Sequence, residues 1–181
     1  MIATLLQSAL TFYFVVFLIL FSYAINCYVM VYLFHKRKSK MAKEIASFQE
    51  KHSFDQWDRV PLVTTQIPVY NELNVVERII DASCKMDYPK EAHEIQILDD
   101  STDESRDIIN RRVEFWKEKG YDIKVLRRAN RVGFKAGALK QGMEESTGEF
   151  LAVFDADFVP PEDFLMKTVP WLMEKSELGL V

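Results

Sequence analysis

The stretch LAVFDADFVPPEDF, Leu151 to Phe164, drives an apolar run into two aspartates one residue apart, Asp155 and Asp157, and follows them with Pro160 and Pro161. In extended chain alternate side chains share a face, so both carboxylates point one way while Ala156 turns into the fold. Two converging carboxylates suit a hard divalent cation. Mg²⁺ or Mn²⁺ takes oxygen ligands and commonly shares its shell between one or two carboxylates and substrate phosphate. The strand thus carries a metal site to its own end, and the prolines stop it there. A solvated turn is the plain alternative for any lone D-x-D, and the argument against it is the other chemistry-bearing residues at neighbouring strand ends.

Two further stretches supply that company. In LDDSTDES, Asp99 and Asp100 can accept hydrogen bonds from a nucleobase imide or from ribose hydroxyls. Ser101, Thr102 or Asp103 is then left to cap the following helix. In NRVGFKAGALKQG, Arg131 and Lys135 stand close to Gly133 and Gly137, an arrangement that brings cationic groups to a diphosphate. The same glycines also suit a helix packed closely on a sheet.

These residues need a scaffold, and the periodicity from Pro61 onward provides one. LVTTQIPV, HEIQILDD, DIKVLRR and EFLAVFDAD read as strands. NVVERIIDASCKM, ESRDIINRRVEFWKEKG, KAGALKQGMEEST and residues 161–175 read as helices, the last bent or interrupted at Pro170. Strands alternating with helices of this length predict an α/β fold with a mostly parallel sheet covered on both faces. Ligands of such sheets bind beyond the carboxyl ends of the strands. Asn71 and Glu72, Asp99 and Asp100, NRVGFK, and Asp155 and Asp157 all fall at those ends.

The chain has 181 residues, and its first 34 carry no charged side chain. Almost every residue from Leu10 to Phe34 is apolar or aromatic, enough to span a bilayer, and the stretch lacks the basic start and cleavage site of a signal peptide. Residues 1–35 are therefore expected to form a transmembrane helix. HKRKSKMAK follows, with five Lys and Arg and no acid, which assigns what lies downstream to the cytoplasmic side of a membrane. Residues 36–60 are read as a basic juxtamembrane helical extension or linker. The net charge is −4, and setting aside the five positive charges of that collar leaves −9 for residues 44–181. An acidic soluble part excludes nucleic acid as a partner and suits a site that needs a cation to hold an anionic ligand. Cys27 and Cys84 fall in the span and in a helix, which fits a reducing compartment.

The set IPVYNE, ILDDSTDES, NRVGFKAGALKQGM and FDADFVPPEDFL, in this order and spacing, resembles the processive family 2 glycosyltransferases of GT-A fold, in the cellulose synthase-like and glucomannan (mannan) synthase branch. The resemblance covers residues 61–181. It implies that Tyr70, Glu72, Asp99 and Asp100 line a nucleotide pocket, that Lys135 lies near the nucleotide diphosphate, and that Asp155 and Asp157 coordinate the metal and diphosphate. It further implies an inverting transfer of a hexose from a UDP- or GDP-sugar to a glycan or lipid acceptor, at a bacterial inner membrane or an endomembrane. Family members continue with a general base in a T/E-D motif, a Q-x-x-R-W motif and further spans. Here the sequence stops at Val181, at what reads as the start of a strand, so no catalytic base is assigned within these residues and the chain alone is expected to be inactive. Two rivals are a phosphohydrolase and a catalytically silent binding module. The former opens its first strand with D-x-D, whereas here the motif closes the fourth.

Overall fold

The computed structural model describes residues 2–175 and 177–181, with the side chain of Asp55 excepted. Met1 and Ser176, which the expected segments 1–35 and 61–181 include, lie outside the described residues. The chain divides into two compact units, residues 1–51 and 52–181.

The first unit is a single helix, α1 (Ile2–Lys51). No glycine or proline interrupts these residues, so nothing in the backbone stops the helix. It is long and apolar enough to cross a membrane. Three of its hydroxyls are satisfied internally, with Ser8, Thr11 and Ser22 donating to the carbonyls of Thr4, Gln7 and Leu18 at 2.9–3.0 Å. The helix runs unbroken through the basic stretch, so the backbone has no joint near residue 35. The connection to the next unit begins only after Lys51, with a 3₁₀ turn at Phe54–Gln56.

The second unit is built on four parallel strands, β1 (Val63–Val69), β2 (His93–Asp99), β3 (Asp122–Leu126) and β4 (Phe150–Val153), in the order β3-β2-β1-β4. Helices α2 (Val76–Cys84), α3 (Ser105–Glu118), α4 (Phe134–Glu144) and α5 (Phe164–Glu174) complete it. β2 is buried along its whole length and β1 at all but one residue, as parallel strands covered on both faces must be. One face is mostly apolar: Val63, Ile67, Ile95, Ile97 and Ile123 cluster with Ile79, Ile80, Ile109, Val113 and Trp116. Burying each such side chain contributes about 1.5–3 kcal/mol. The other face carries the Gln66–Gln96 pair at 2.9 Å, and α4 approaches it through Gly142, where an added Cβ would lie 2.7 Å from Gln66 Nε2.

Paired charges fasten the layers. Arg112 on α3 grips Asp81 on α2 through both Nε and Nη2, and Trp116 Nε1 donates to the same carboxylate at 2.9 Å. Burial alone would raise the Asp81 pKa, but these hydrogen bonds outweigh it and hold it below the usual carboxylate value. At the amino ends of the strands, Glu94 accepts from Thr64 Oγ1, the Thr147 amide at 3.0 Å and Lys124 Nζ at 2.6 Å. Burial pushes its pKa up, the hydrogen bonds push it down further, and the result is about 2. Beside it His93 meets Thr65 Oγ1 at 2.8 Å, and burial lowers its pKa to about 4.

Three details differ from the sequence expectation. β4 ends at Val153 and is not a buried strand, because Leu151 and Val153 are 38% and 46% exposed. It lies at the sheet edge and pairs only with β1 among the described residues. Of the two outcomes expected at Pro170, a bend or an interruption, the interruption does not occur: α5 stays helical through this buried residue. The residues 177–181 form no strand.

Candidate active site

The strand order sends the chain outward from β1 to β3 and then back to the other side of β1 with β4. A crevice opens at such a reversal, outside the carboxyl ends of the strands. There a cavity of about 270 Å³ is lined by Tyr70, Glu72, Asp100, Arg131, Lys135, Asp155 and Asp157, over a floor of Pro68, Val69 and Ala138. Seven of the eight residues singled out in the sequence therefore converge.

The loops that deliver them are stitched together. Asn71 adopts φ +56°, a left-handed conformation that asparagine tolerates better than most residues. Its amide donates to Ser101 Oγ at 3.0 Å, and its Oδ1 accepts from the Thr102 amide at 2.9 Å. The turn after β1, bearing Tyr70 and Glu72, is thereby locked to the turn after β2.

Asp99 is the exception. Its side chain is fully buried, with Oδ1 accepting from the Ser101 amide at 2.9 Å and Oδ2 from Arg127 Nε at 2.7 Å. It is not among the residues that line the cavity, and its two hydrogen bonds hold the turn after β2. Asp100 does face the cavity, but its carboxylate is gripped bidentately by Arg128, with Nε to Oδ1 at 2.7 Å. Arg131 lies 3.7 Å from the same carboxylate and stacks its guanidinium over the Tyr70 ring, 3.2 Å from the centroid.

Arg127 and Arg128 escaped the sequence reading. β2 and β3 pair Leu98 with Leu126, so one step further Asp99 comes level with Arg127 and Asp100 with Arg128. Two consecutive acids ending one strand and two consecutive arginines ending another were the available signal.

Asp155 and Asp157 lie one turn beyond β4, where the Phe158 amide closes on the Asp155 carbonyl at 3.0 Å. Their convergence comes from that turn rather than from strand alternation. Ala156 is buried, as expected. Lys135, from the first turn of α4, places its Nζ on the Asp155 carboxylate. The donor set fits Mg²⁺ or Mn²⁺: two exposed carboxylates in one cavity wall. Among the described residues no group of three His, Cys, Asp or Glu side chains is assembled, so a cation there would complete its shell with diphosphate oxygens and water.

A larger depression, about 530 Å³, lies along α2 beside residues 159–162. Its Asp81 is already committed to Arg112 and Trp116, and its other charges, such as Glu77, Arg78 and Lys85, are of mixed sign with no common focus. In the smaller cavity opposite charges face each other, Lys135 on Asp155 and Arg131 beside Asp100.

The profile of Glycosyl transferase family 2 matches residues 65–179. This chain belongs to that family. Over 125 residues it is 46% identical to a probable glucomannan 4-beta-mannosyltransferase 7 of Oryza sativa, covering 67% of this chain and 21% of the relative. It is 42% identical over 135 residues to a glucomannan 4-beta-mannosyltransferase 1 of Cyamopsis tetragonoloba, covering 72% of this chain and 26% of that protein. The chain thus spans between a fifth and about a quarter of the length of these relatives. Among solved structures, a mannosyltransferase from Pyrobaculum calidifontis in complex with GDP-Man and Mn²⁺ superposes with a TM-score of 0.56 at 30% identity, over 68% of this chain and 37% of that one. The α/β architecture with its parallel sheet is accordingly a GT-A fold, and the relatives it resembles in sequence carry the name glucomannan 4-beta-mannosyltransferase.

Proposed function

We propose that this chain is the membrane-anchored donor-binding part of an inverting mannosyltransferase that moves mannose from GDP-mannose to a growing glycan. The observation that carries the reading is the meeting of Asp155, Asp157, Lys135 and Arg131 in one cavity at the reversal of strand order. Anionic groups for a cation and cationic groups for a diphosphate are what a nucleotide sugar requires. Relatives named as glucomannan mannosyltransferases, and a structural neighbour solved with GDP-Man and Mn²⁺, favour mannose and guanine over the other hexoses and uracil. A lipid acceptor fits the same donor chemistry and is the second possibility for the acceptor side.

In this reading Tyr70 and Arg131 flank the nucleoside, Glu72 and Asp100 offer acceptors to base or ribose, and Lys135 turns from Asp155 to the diphosphate. Asp155 and Asp157 would hold Mg²⁺ or Mn²⁺, which would supply positive charge beside the diphosphate. Deprotonating the acceptor hydroxyl needs a base. No histidine lines the cavity, and its carboxylates are assigned to donor and metal. We therefore place the base in a part of the protein that these 181 residues do not include. α1 would serve as the anchor, with the basic residues Lys36 to Lys43 on the cytoplasmic side where nucleotide sugars are available.

The test is calorimetric titration of the purified chain with GDP and UDP, with and without Mn²⁺. GDP should bind more tightly than UDP, and Mn²⁺ should strengthen binding. Absence of binding by either nucleotide overturns the reading.

A further inference from the structure

The turn between Arg128 and Lys135 is wrapped around a side chain that does not line the cavity. The Arg128 side chain is 12% exposed, and its guanidinium bonds in two directions. Toward β2 it takes both oxygens of Asp100. Toward its own loop, Nη1 donates to the Val132 carbonyl at 2.7 Å and Nη2 to the Phe134 carbonyl at 2.6 Å. The loop turns those carbonyls inward by passing through left-handed conformations at Gly133 (φ +73°) and Phe134 (φ +47°). Such a φ is unfavourable for phenylalanine and persists only where the surroundings hold it. Gly137 completes the slot, since a Cβ there would lie 2.1 Å from the Val132 oxygen and 2.5 Å from Arg128 Nη1.

The two cations that do line the cavity sit at either end of this turn. Arg131 precedes it and lies over Tyr70; Lys135 follows it and reaches Asp155. We propose that Arg128 is a positioning residue for donor binding: by bridging Asp100 to the Val132 and Phe134 carbonyls, it sets where Arg131 and Lys135 stand. The inference deepens the assignment of the cavity to a nucleoside diphosphate and rests on it. Lysine cannot take over the role, because an ammonium is a point charge without the planar fork that reaches acceptors on two sides at once.

The test uses the whole chain in detergent micelles, as parent, Arg128→Lys, Lys135→Ala and the double variant. GDP affinity is measured by calorimetry, and amide hydrogen exchange is followed without nucleotide. Arg128→Lys should bind GDP at least tenfold more weakly. Amides of residues 131–137, including the Phe134 and Gly137 amides that close the turn, should exchange at least tenfold faster, while β1 and β2 keep the parent's protection. Lys135→Ala should weaken GDP binding less in the Arg128→Lys background than in the parent, since a displaced lysine has less to lose. Parent-like affinity and turn exchange in Arg128→Lys overturn the proposal, and so does full additivity of the two substitutions. Loss of protection in β1 and β2 also overturns it, by making Arg128 a residue of the general fold. A parent chain that binds neither GDP nor UDP defeats the nucleotide assignment instead, and the exchange comparison still decides whether Arg128 holds the turn.

Discussion

The ammonium of Lys135 rests on the carboxylate of Asp155, so a cation of the protein occupies one half of the D-x-D pair. Both side chains are more than half exposed, and an ion pair in that setting contributes about 1 kcal/mol or less. The contact is therefore easily exchanged. A diphosphate that draws Lys135 away would free Asp155 for a metal ion, which couples the two binding events. Lys135→Met should strengthen Mn²⁺ binding in the absence of nucleotide by roughly two- to fivefold and weaken GDP binding. Titration of Mn²⁺ against each form checks this, and unchanged metal affinity would refute the competition.

Asp157 has no such partner among the described residues and should act on the metal alone. Asp157→Asn is expected to abolish the enhancement of GDP binding by Mn²⁺ while leaving metal-free binding within about twofold, an energy difference below roughly 0.5 kcal/mol. Calorimetry with and without Mn²⁺ separates the two effects.

Neighbouring Asp99 and Asp100 should behave as opposites. Asp99→Ala strands Arg127 beside a buried void, and removing one partner of such a pair should cost about 2–3 kcal/mol of stability, less than for a fully buried pair because Arg127 is partly exposed. Asp100→Ala should instead weaken GDP binding by roughly tenfold, the size of one lost charged hydrogen bond. Urea unfolding and GDP titration of both variants provide the comparison. Equal effects of the two substitutions on affinity would place Asp99 back in the cavity wall.

Acid should loosen the fold through His93. The buried imidazole is neutral in the folded chain down to about pH 4, whereas in the unfolded chain it takes up a proton near pH 6.5. The unfolded state thus binds more protons across that window, and stability falls as pH drops from 6.5 to 4 by up to roughly 3 kcal/mol. Glu94, held at about 2, adds a further loss below its ordinary value of 4.5. His93→Gln should flatten the upper part of this dependence, from pH 6.5 to 4, and leave the lower part. Thermal unfolding followed by tryptophan fluorescence between pH 7 and 3 reads both.

Much of this architecture was legible because local pattern and tertiary demand agree. β1 and β2 read as strands and α3 as an amphipathic helix, and the structure builds them there. Asp155, Asp157, Lys135 and Arg131 were legible for a related reason: strand ends of a parallel sheet share one rim. What the sequence hid depends on register and order. Asp99 and Asp100 look equivalent until β3 brings Arg127 level with one and Arg128 with the other. β4 reads as buried because its residues are apolar, yet the chain's return to the far side of β1 leaves it at the margin. The D-x-D geometry was anticipated for the wrong reason, since a turn rather than strand alternation brings the two carboxylates together.

β4 also bears on how this molecule behaves in a crowded solution. Its outer edge presents backbone donors and acceptors beside exposed Leu151 and Val153, and Phe150–Val153 contains neither charge nor proline. Such an edge accepts almost any extended peptide, because the bonds it offers are those of the main chain. Among the described residues no second strand pairs with that edge, which leaves residues 52–181 with an apolar rim four residues long. A lysine at Leu151 would place a hydrated charge on that rim and oppose strand-to-strand stacking, keeping the unit dispersed at concentrations where the parent forms clusters.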